Sequence, residues 1–475
     1  MNKIACLFIF GGISLFLGCT MAPKYTRPAA PVPAAWPTGP AYVQADSGTN
    51  APFAADLAWQ SFFADGRLRE IIGTALTNNL DLRAAALNVE LARGLYGVQR
   101  STLLPSVGAN AGDSRAGTPA DLSSTGKRIT GSRYDMNLGV AAWEIDFFGR
   151  LRSLKDQALQ EYLASEQARR GAQVMLIASI ANAYLALAAD RESLQLAETT
   201  LDAQTSSYTL IKRRFQTGLV TELDLYRAQT QVDTARGDVA TYQQQVAKDE
   251  NALTLLTGAQ VPRDLLPGRL RDVAPPKEIC AGLSSDVLLK RPDVAQAEAE
   301  LKAAHAFVGA ARSAFFPRIS LTTVFGTASS ELDGLFKAGS KAWAFAPQAT
   351  MPLFDARTWS AYKVSKAQQK LALTQYDRTV QTAFREVSDA LAVRGTVSEQ
   401  VAAQQSLVNA VAETYRLSVL RYDKGIDSYL SVLDAQRSLY GAQQGLIALQ
   451  FAKLNTLVQL YAVLGGGQQI AGEIN

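Results

Sequence analysis

The side chains able to do chemistry are few and far apart. The single histidine, His305, sits in the alanine-rich stretch VAQAEAELKAAHAFVGAARS (294–313). A metal site would need more imidazole or thiolate ligands at fixed spacing; there is no second histidine and no cysteine cluster, so His305 reads as structural. Asp286 and Asp293 come nearest to a carboxylate pair, yet their spacing suggests no acid–base couple. The GGG at 465–467 follows a helical pattern instead of opening one, which suits a helix stop and not a phosphate loop. Three cysteines, Cys6, Cys19 and Cys280, give no disulfide framework, and Cys280 reads as an inert buried thiol. Lys and Arg number 47 against 43 Asp and Glu, a net charge of +4, and the two signs are interspersed, so nucleic acid is not expected as a partner. The composition therefore points away from an enzyme: no catalytic, cofactor-binding or metal residues are expected, and function must come from architecture.

The first stretch, MNKIACLFIFGGISLFLGCT, has a basic start at Lys3 and an apolar core from Ile4 to Leu17, too short for a spanning helix. It reads as an export signal over 1–18. Its end resembles the lipobox of bacterial lipoproteins, which implies that Cys19 becomes the new N-terminus and carries covalent lipid, the only attached group expected. Several acyl chains hold a protein durably at a membrane. Thr20, where Asp would signal retention at the inner membrane, implies sorting to the outer one. Residues 19–57 then form a lipidated cysteine followed by a tether, since Pro23, Pro28, Pro31, Pro33, Pro37, Pro40 and Pro52 forbid helix.

The remainder is written twice. Residues 81–107 and 293–319 align without a gap from Asp81/Asp293 to Pro105/Pro317. A second gapless block sets RFQTGLVTELDLYRAQ (214–229) against RYDKGIDSYLSVLDAQ (421–436) and runs on to Gly258/Gly465. The chain thus divides into a first repeat over 58–261, a linker over 262–292, a second repeat over 293–464 and a tail over 465–475. No proline interrupts Phe147 to Val261 or anything after Pro352, so long helices are expected there, broken at Gly218 and Gly425. Leu225, Ala228, Val232, Ala235, Val239, Tyr242, Val246, Leu253 and Leu256 follow a three–four alternation in which only Asp249 is out of character; Val432, Ala435, Leu439, Ala442, Leu446 and Leu449 repeat it. Such heptads specify coiled-coil packing.

Four other stretches alternate with period two, which means strand. PRISLTTVFG (317–326) and WAFAPQATMPLF (343–354) predict one hairpin over about 317–354; PSVGANAGDSRAGTP (105–119) and YDMNLGVAAWEIDFF (134–148) predict another over about 105–148. Trp143, Phe147, Trp343, Phe345 and Phe354 suit the aromatic girdles of a membrane barrel. Only a closed barrel satisfies its backbone in lipid, and about eight strands is the smallest single-chain closure, so four strands must be completed by other copies. A trimer would supply twelve.

On WQSFFADGRLREIIGTALTNNLDL (59–82), WEIDFFGR (143–150), GLSSDVLLKRPDV (282–294), FFPRISL (315–321) and GIDSYLSVLDAQRSLYGAQ (425–443), the chain resembles the TolC-like outer membrane factors, most closely the lipoprotein branch serving tripartite efflux pumps. The resemblance implies a mixed membrane fold: a trimeric twelve-stranded transmembrane β-barrel, continuous with a long α-helical coiled-coil barrel reaching into the periplasm. It implies a homotrimer held in outer membrane lipid, docked to a periplasmic adaptor and an inner-membrane RND-type transporter, and passively conducting drugs, other small molecules or metals. A belt around the tunnel would draw on 59–79, 262–292 and the tail. Leu430 and Asp434 match the constricting rings of the periplasmic gate; Asp224, Tyr422 and Arg437 match the residues that tether it; Gly218, Leu219, Gly425 and Ile426 match the tips where the adaptor docks. Asp427 stands where the type member has an arginine, and Ser431 where it has a second acid. Two other readings remain open from sequence: the duct of a type I protein secretion system, and a non-conducting envelope-spanning scaffold lipoprotein.

Overall fold

The computed structural model describes residues 20–42, 52–280 and 284–467. Signal residues 1–18 and the lipidation candidate Cys19 lie outside them, as does the tail beyond Gly467. In chain order the main elements are α1 (Gly66–Asn78), α2 (Leu80–Ser101), β1 (Val107–Thr118), β2 (Ile129–Ile145), α3 (Arg150–Gln216) and α4 (Glu222–Thr257). They are followed by α5 (Pro292–Ser313), β3 (Arg318–Ser329), β4 (Lys341–Thr350), α6 (Ala356–Asp423) and α7 (Tyr429–Val463). The uninterrupted helices expected from the missing prolines are single elements: α3 has 67 residues and α6 has 68. Each is about 100 Å long at about 1.5 Å per residue.

Two compact units share these helices. One holds residues 20–29, 88–165 and 297–376; the other holds the described residues among 30–87, 166–296 and 377–467.

The first unit contains a four-stranded antiparallel sheet in the order β1-β2-β3-β4. The register places Leu138 opposite Phe325 and Phe325 opposite Trp343, with Thr323 opposite Phe345 and Val107 opposite Val140. Residues directly opposite share a face, so these side chains form one apolar band; the other face carries Asn110, Asn137, Ser320, Thr322 and Gln348 among glycines and alanines. Phe325, Trp343 and Phe345 are all exposed. Several boundaries differ from the expected ones, two of them most. β2 starts earlier, at Ile129, because it pairs with all of β1. β4 ends at Thr350, and Met351 to Phe354 leave the sheet at Pro352, which has no N–H for a ladder.

The second unit is a helical body. α1 starts where the Asp65 carboxylate accepts the N–H groups of Arg67 and Leu68, at 2.9 and 3.1 Å. Leu68, Ile71, Ile72 and Ala75 on one face are buried. Phe62 stacks on Tyr461 with ring centroids 3.9 Å apart, and the Tyr461 hydroxyl donates to the Leu57 carbonyl at 2.6 Å. The heptad positions behave as their pattern requires: Ala228, Val232, Ala235 and Leu253 of α4, and Val432, Ala435 and Ala442 of α7, are buried.

The proline-rich segment contains no helix over 20–42, as its prolines demand, and only a 3-10 turn at Ala54–Asp56 beyond Pro52; the tether is bound to the body. Tyr25 and Arg27 donate to the buried Glu298 carboxylate, at 3.1 Å and at 3.0 and 2.8 Å. Burial alone would raise the pKa of Glu298; hydrogen bonds from Arg27 and Lys302 outweigh it and hold the carboxyl below its usual range. Further along, Trp36 stacks on Phe384, and Ser285 donates to the carbonyls of Pro33 and Ala34.

Candidate functional site: the two hairpin tips

The sequence repeat of 214–229 and 421–436 becomes a repeat of backbone geometry. Gly218 adopts φ +75° and Gly425 φ +71°, left-handed values that a β-carbon disfavours. At the first tip the Leu219 N–H donates to the Arg214 carbonyl at 2.8 Å and the Gly218 N–H to that of Phe215 at 2.9 Å. At the second, the Ile426 N–H donates to Arg421 and the Gly425 N–H to Tyr422, both at 2.9 Å. Each long helix thus ends in the same motif, which satisfies its last carbonyls and turns the chain. Leu219 and Ile426, just past the glycines, are 75% and 59% exposed, a pair of apolar side chains offered to solvent.

The restarts differ. Thr221 caps α4 through a reciprocal box: its hydroxyl accepts the Asp224 N–H at 3.2 Å and donates to the Asp224 carboxylate at 2.7 Å, and its own N–H donates there at 3.3 Å. Ser428 caps α7 with no side-chain hydrogen bond. The second tip is held instead by Arg421, whose guanidinium grips Asp427 through two hydrogen bonds of 2.6 and 3.0 Å and keeps that carboxyl below its usual pKa.

Beneath the tips, all four helices contribute to one core. Ile211 of α3, Ala228 of α4 and Tyr429, Val432 and Leu433 of α7 are buried together, with Tyr208, Leu225, Tyr415 and Tyr422 packed against them. Burial, then the neighbouring Tyr422, Tyr415 and Asp224, pushes the Tyr429 hydroxyl up to about 12.

The tether expected between Tyr422 and Asp224 is not formed. Asp224 is the third residue of α4 and its carboxylate is committed to Thr221, with Arg227 of the same helix 3.8 Å away. The Tyr422 hydroxyl is buried without a hydrogen-bond partner among the described residues. At the tips the polar contact between hairpins is made by Arg214, which lies 5.4 Å from the Tyr422 ring centroid and 3.5 Å from the Asp423 carboxylate. Arg214 and Asp423 were not singled out from sequence. The alignment of Arg214 with Arg421 was the available signal, since one arginine serves its own tip and the other reaches across.

Leu430 and Asp434 lie on the open side of α7. Leu430 is 40% exposed, and Asp434 is paired with Arg437 three residues on, both side chains largely in solvent. Arg437 therefore serves Asp434, and no hydrogen bond or ion pair among the described residues ties it to the first hairpin. Among the described residues no group of three or more His, Cys, Asp or Glu could hold a metal ion.

The geometry has close counterparts among known proteins. The family model for outer membrane efflux proteins matches residues 71–259 and 283–466, two stretches that each hold one β-hairpin and one tip. The chain is 47% identical over 451 residues to the toluene efflux pump outer membrane protein TtgC of Pseudomonas putida, spanning 95% of this chain and 93% of that one. A membrane protein from Pseudomonas aeruginosa has the same fold at TM-score 0.88 and 38% identity, over 96% of this chain and 100% of its own. The open state of the MtrE outer membrane channel of Neisseria gonorrhoeae matches at TM-score 0.84 and 37% identity, over 95% and 99% of the two chains.

Proposed function

Because the chain belongs to the outer membrane efflux protein family and is the outer membrane channel component of a tripartite efflux pump, we propose that three copies build one duct. The observation that carries this reading is the sheet: four strands with an apolar face, whose outer strands β1 and β4 each pair on one side only. Open edges are not tolerated in lipid, so β4 of one copy pairs with β1 of the next and twelve strands close the barrel. The helices of the three copies then form the periplasmic tunnel, and no step of catalysis is involved.

Cys19 is lipidated after removal of 1–18, and the strap through Tyr25 and Arg27 fixes where that anchor meets the body. Gly218, Leu219, Gly425 and Ile426 form the surface on which an adaptor's helical hairpins dock, the two exposed apolar side chains supplying the contact. The inner-membrane partner is an RND-type transporter, and the cargo is small apolar or amphiphilic molecules, as the name of the toluene pump relative suggests. Leu430 and Asp434 from three copies narrow the periplasmic mouth and give it a negative potential that favours cations. Arg214, through Tyr422 and Asp423, holds the second hairpin against the first.

The test is reconstitution of the purified lipoprotein in planar bilayers. Trimers that conduct are expected, and Asp434→Ala raises single-channel conductance and lowers cation preference. A stable, water-soluble monomer after delipidation overturns the duct; conductance unchanged by Asp434→Ala removes that residue from the mouth.

A further inference from the structure

Where the sheet of the first unit passes into helices there is a cavity of about 590 Å³, lined by Glu144, Arg150, Ser313, Arg318, Asp355 and Arg357 among others. The strand register decides which way its charges point. Ile145 lies opposite Ile319 and Ile319 opposite Ala349, continuing the apolar face; Glu144 lies opposite Ser320, and Arg318 opposite Thr350, on the other face. If the apolar band meets lipid, as the duct reading requires, Glu144 and Arg318 face the lumen at the base of the barrel.

The acids and bases there are not equally available. The Glu144 side chain is 16% exposed and is gripped by Arg150 through hydrogen bonds of 2.8 and 2.6 Å. Asp146, 9% exposed, is held by Arg152 and by the N–H groups of Leu151 and Arg152. Asp355 accepts the Arg357 N–H and the Thr358 hydroxyl. Arg318, in contrast, keeps 59% of its side chain exposed, and its ion-pair partner at 3.4 Å is the Glu144 already taken by Arg150. A solute passing this level meets the Arg318 guanidinium, while Glu144 and Asp146 are turned into the protein and Asp355, 28% exposed, is engaged by Arg357 and Thr358. Arg357 is more exposed still, at 95%, but it follows the edge strand β4, where the next copy packs. Arg318 sits on β3, flanked on both sides by strands of its own chain, so a neighbouring strand cannot cover it.

We infer that Arg318 forms a basic ring at the base of the barrel that attracts anionic groups of passing solutes, such as carboxylates, sulfonates or phosphates. It is a specificity-determining residue of the duct, opposite in sign to Asp434 at the mouth. The inference rests on the duct reading, and reversal potentials of single channels under a KCl gradient separate the two. Arg318→Gln is expected to lower the anion-to-cation permeability ratio by about two- to fivefold at 0.1 M salt, where the Debye length is about 10 Å; the effect fades at 1 M, where it is about 3 Å. Arg318→Glu lowers the ratio further, and Arg318→Lys, which keeps the charge, restores it. Variant channels that conduct with the wild-type ratio at low salt overturn the assignment. Absence of conductance in the wild-type protein overturns the duct reading instead.

Discussion

The two hairpin tips end their first helices identically and begin their second helices differently. Gly218 and Gly425 close α3 and α6 with the same pair of backbone hydrogen bonds, so the turn itself is common property. After the turn the first tip is held locally, by a capping box inside α4. The second lacks that box: it has its own exposed ion pair, Arg421 with Asp427, and leans on its surroundings through Tyr429, buried against the other hairpin. In the aligned block Tyr429 replaces Glu222, which is exposed. A hairpin whose tip is stabilised by itself resists displacement; one stabilised by packing on a neighbour can be released when that packing is lost. This difference suits a static first hairpin and a second that opens.

The largest expected effect is therefore at Tyr429. Tyr429→Ala removes an aromatic side chain that is 6% exposed, with a cost of about 3 kcal/mol by analogy with buried aromatic truncations. Amide hydrogen exchange in the first turns of α7 should accelerate by more than about a hundredfold, and channel openings should become more frequent, whereas Glu222→Ala leaves α4 within about 0.5 kcal/mol of wild type. Equal responses at the two tips would remove the asymmetry. Next in size is the cap. Thr221→Ala should cost about 1 kcal/mol and speed exchange at the start of α4 about fivefold, while Ser428→Ala, with no side-chain bond to lose, leaves α7 unchanged.

These contrasts mark what the sequence disclosed and what it withheld. The tip glycines were legible because a left-handed helix end demands a residue without a β-carbon, and the strands because alternation survives any tertiary context. The capping box was also present as Thr221-x-x-Asp224 and went unread, because Asp224 had been assigned to Tyr422 by resemblance. The alignment of Arg214 with Arg421 marks both arginines as tip residues, but that Arg214 reaches Tyr422 and Asp423 does not follow from it, since the relative height of four packed helices is set by core packing and not by spacing within one of them. The prolines show that the tether is extended but not where it rests; Tyr25 and Trp36, large rings that pack on His305 and Phe384, are the sign in the sequence that it is bound.

The repeats differ again within the helices, at the heptad position of the first repeat that breaks pattern. Asp249 of α4 lies beside Asp190 of α3, and burial, then the shared hydrogen bond and charge of Asp249, raises the Asp190 carboxyl to about 7. Around them, Gln245 donates to Asp249 at 3.2 Å and Arg191 pairs with Glu250 at 2.7 Å. At the spacing that pairs Arg214 with Arg421, the second repeat has Val397 and Thr456, both buried. A carboxyl whose folded pKa is raised binds its proton more tightly in the native state, so its contribution is most favourable at low pH and is lost as pH rises from about 4 to about 7. Melting of the wild-type protein in detergent should fall over that window, and Asp249→Asn should flatten the curve. An identical slope in the variant would show that the pair shares no proton.

The smallest effect is expected at Asp427, and it sharpens the tip comparison from the other side. The pair with Arg421 is bidentate but exposed, and such pairs contribute little in physiological salt. At neutral pH Asp427→Ala should leave α7 exchange within error. Because the hydrogen bonds and charge of Arg421 hold the Asp427 carboxyl below its usual range, whatever the pair contributes is present above the ordinary carboxylate pKa and is lost only as pH falls through the lower folded value. Acidification should therefore bring the second tip of the wild type to the level of Asp427→Ala, by no more than the small difference between them at neutral pH, while the first tip, held by its capping box, does not depend on this pair. If neutral-pH exchange at α7 rises as much in Asp427→Ala as in Tyr429→Ala, the second tip is held by its own ion pair, and its dependence on the neighbouring hairpin is refuted.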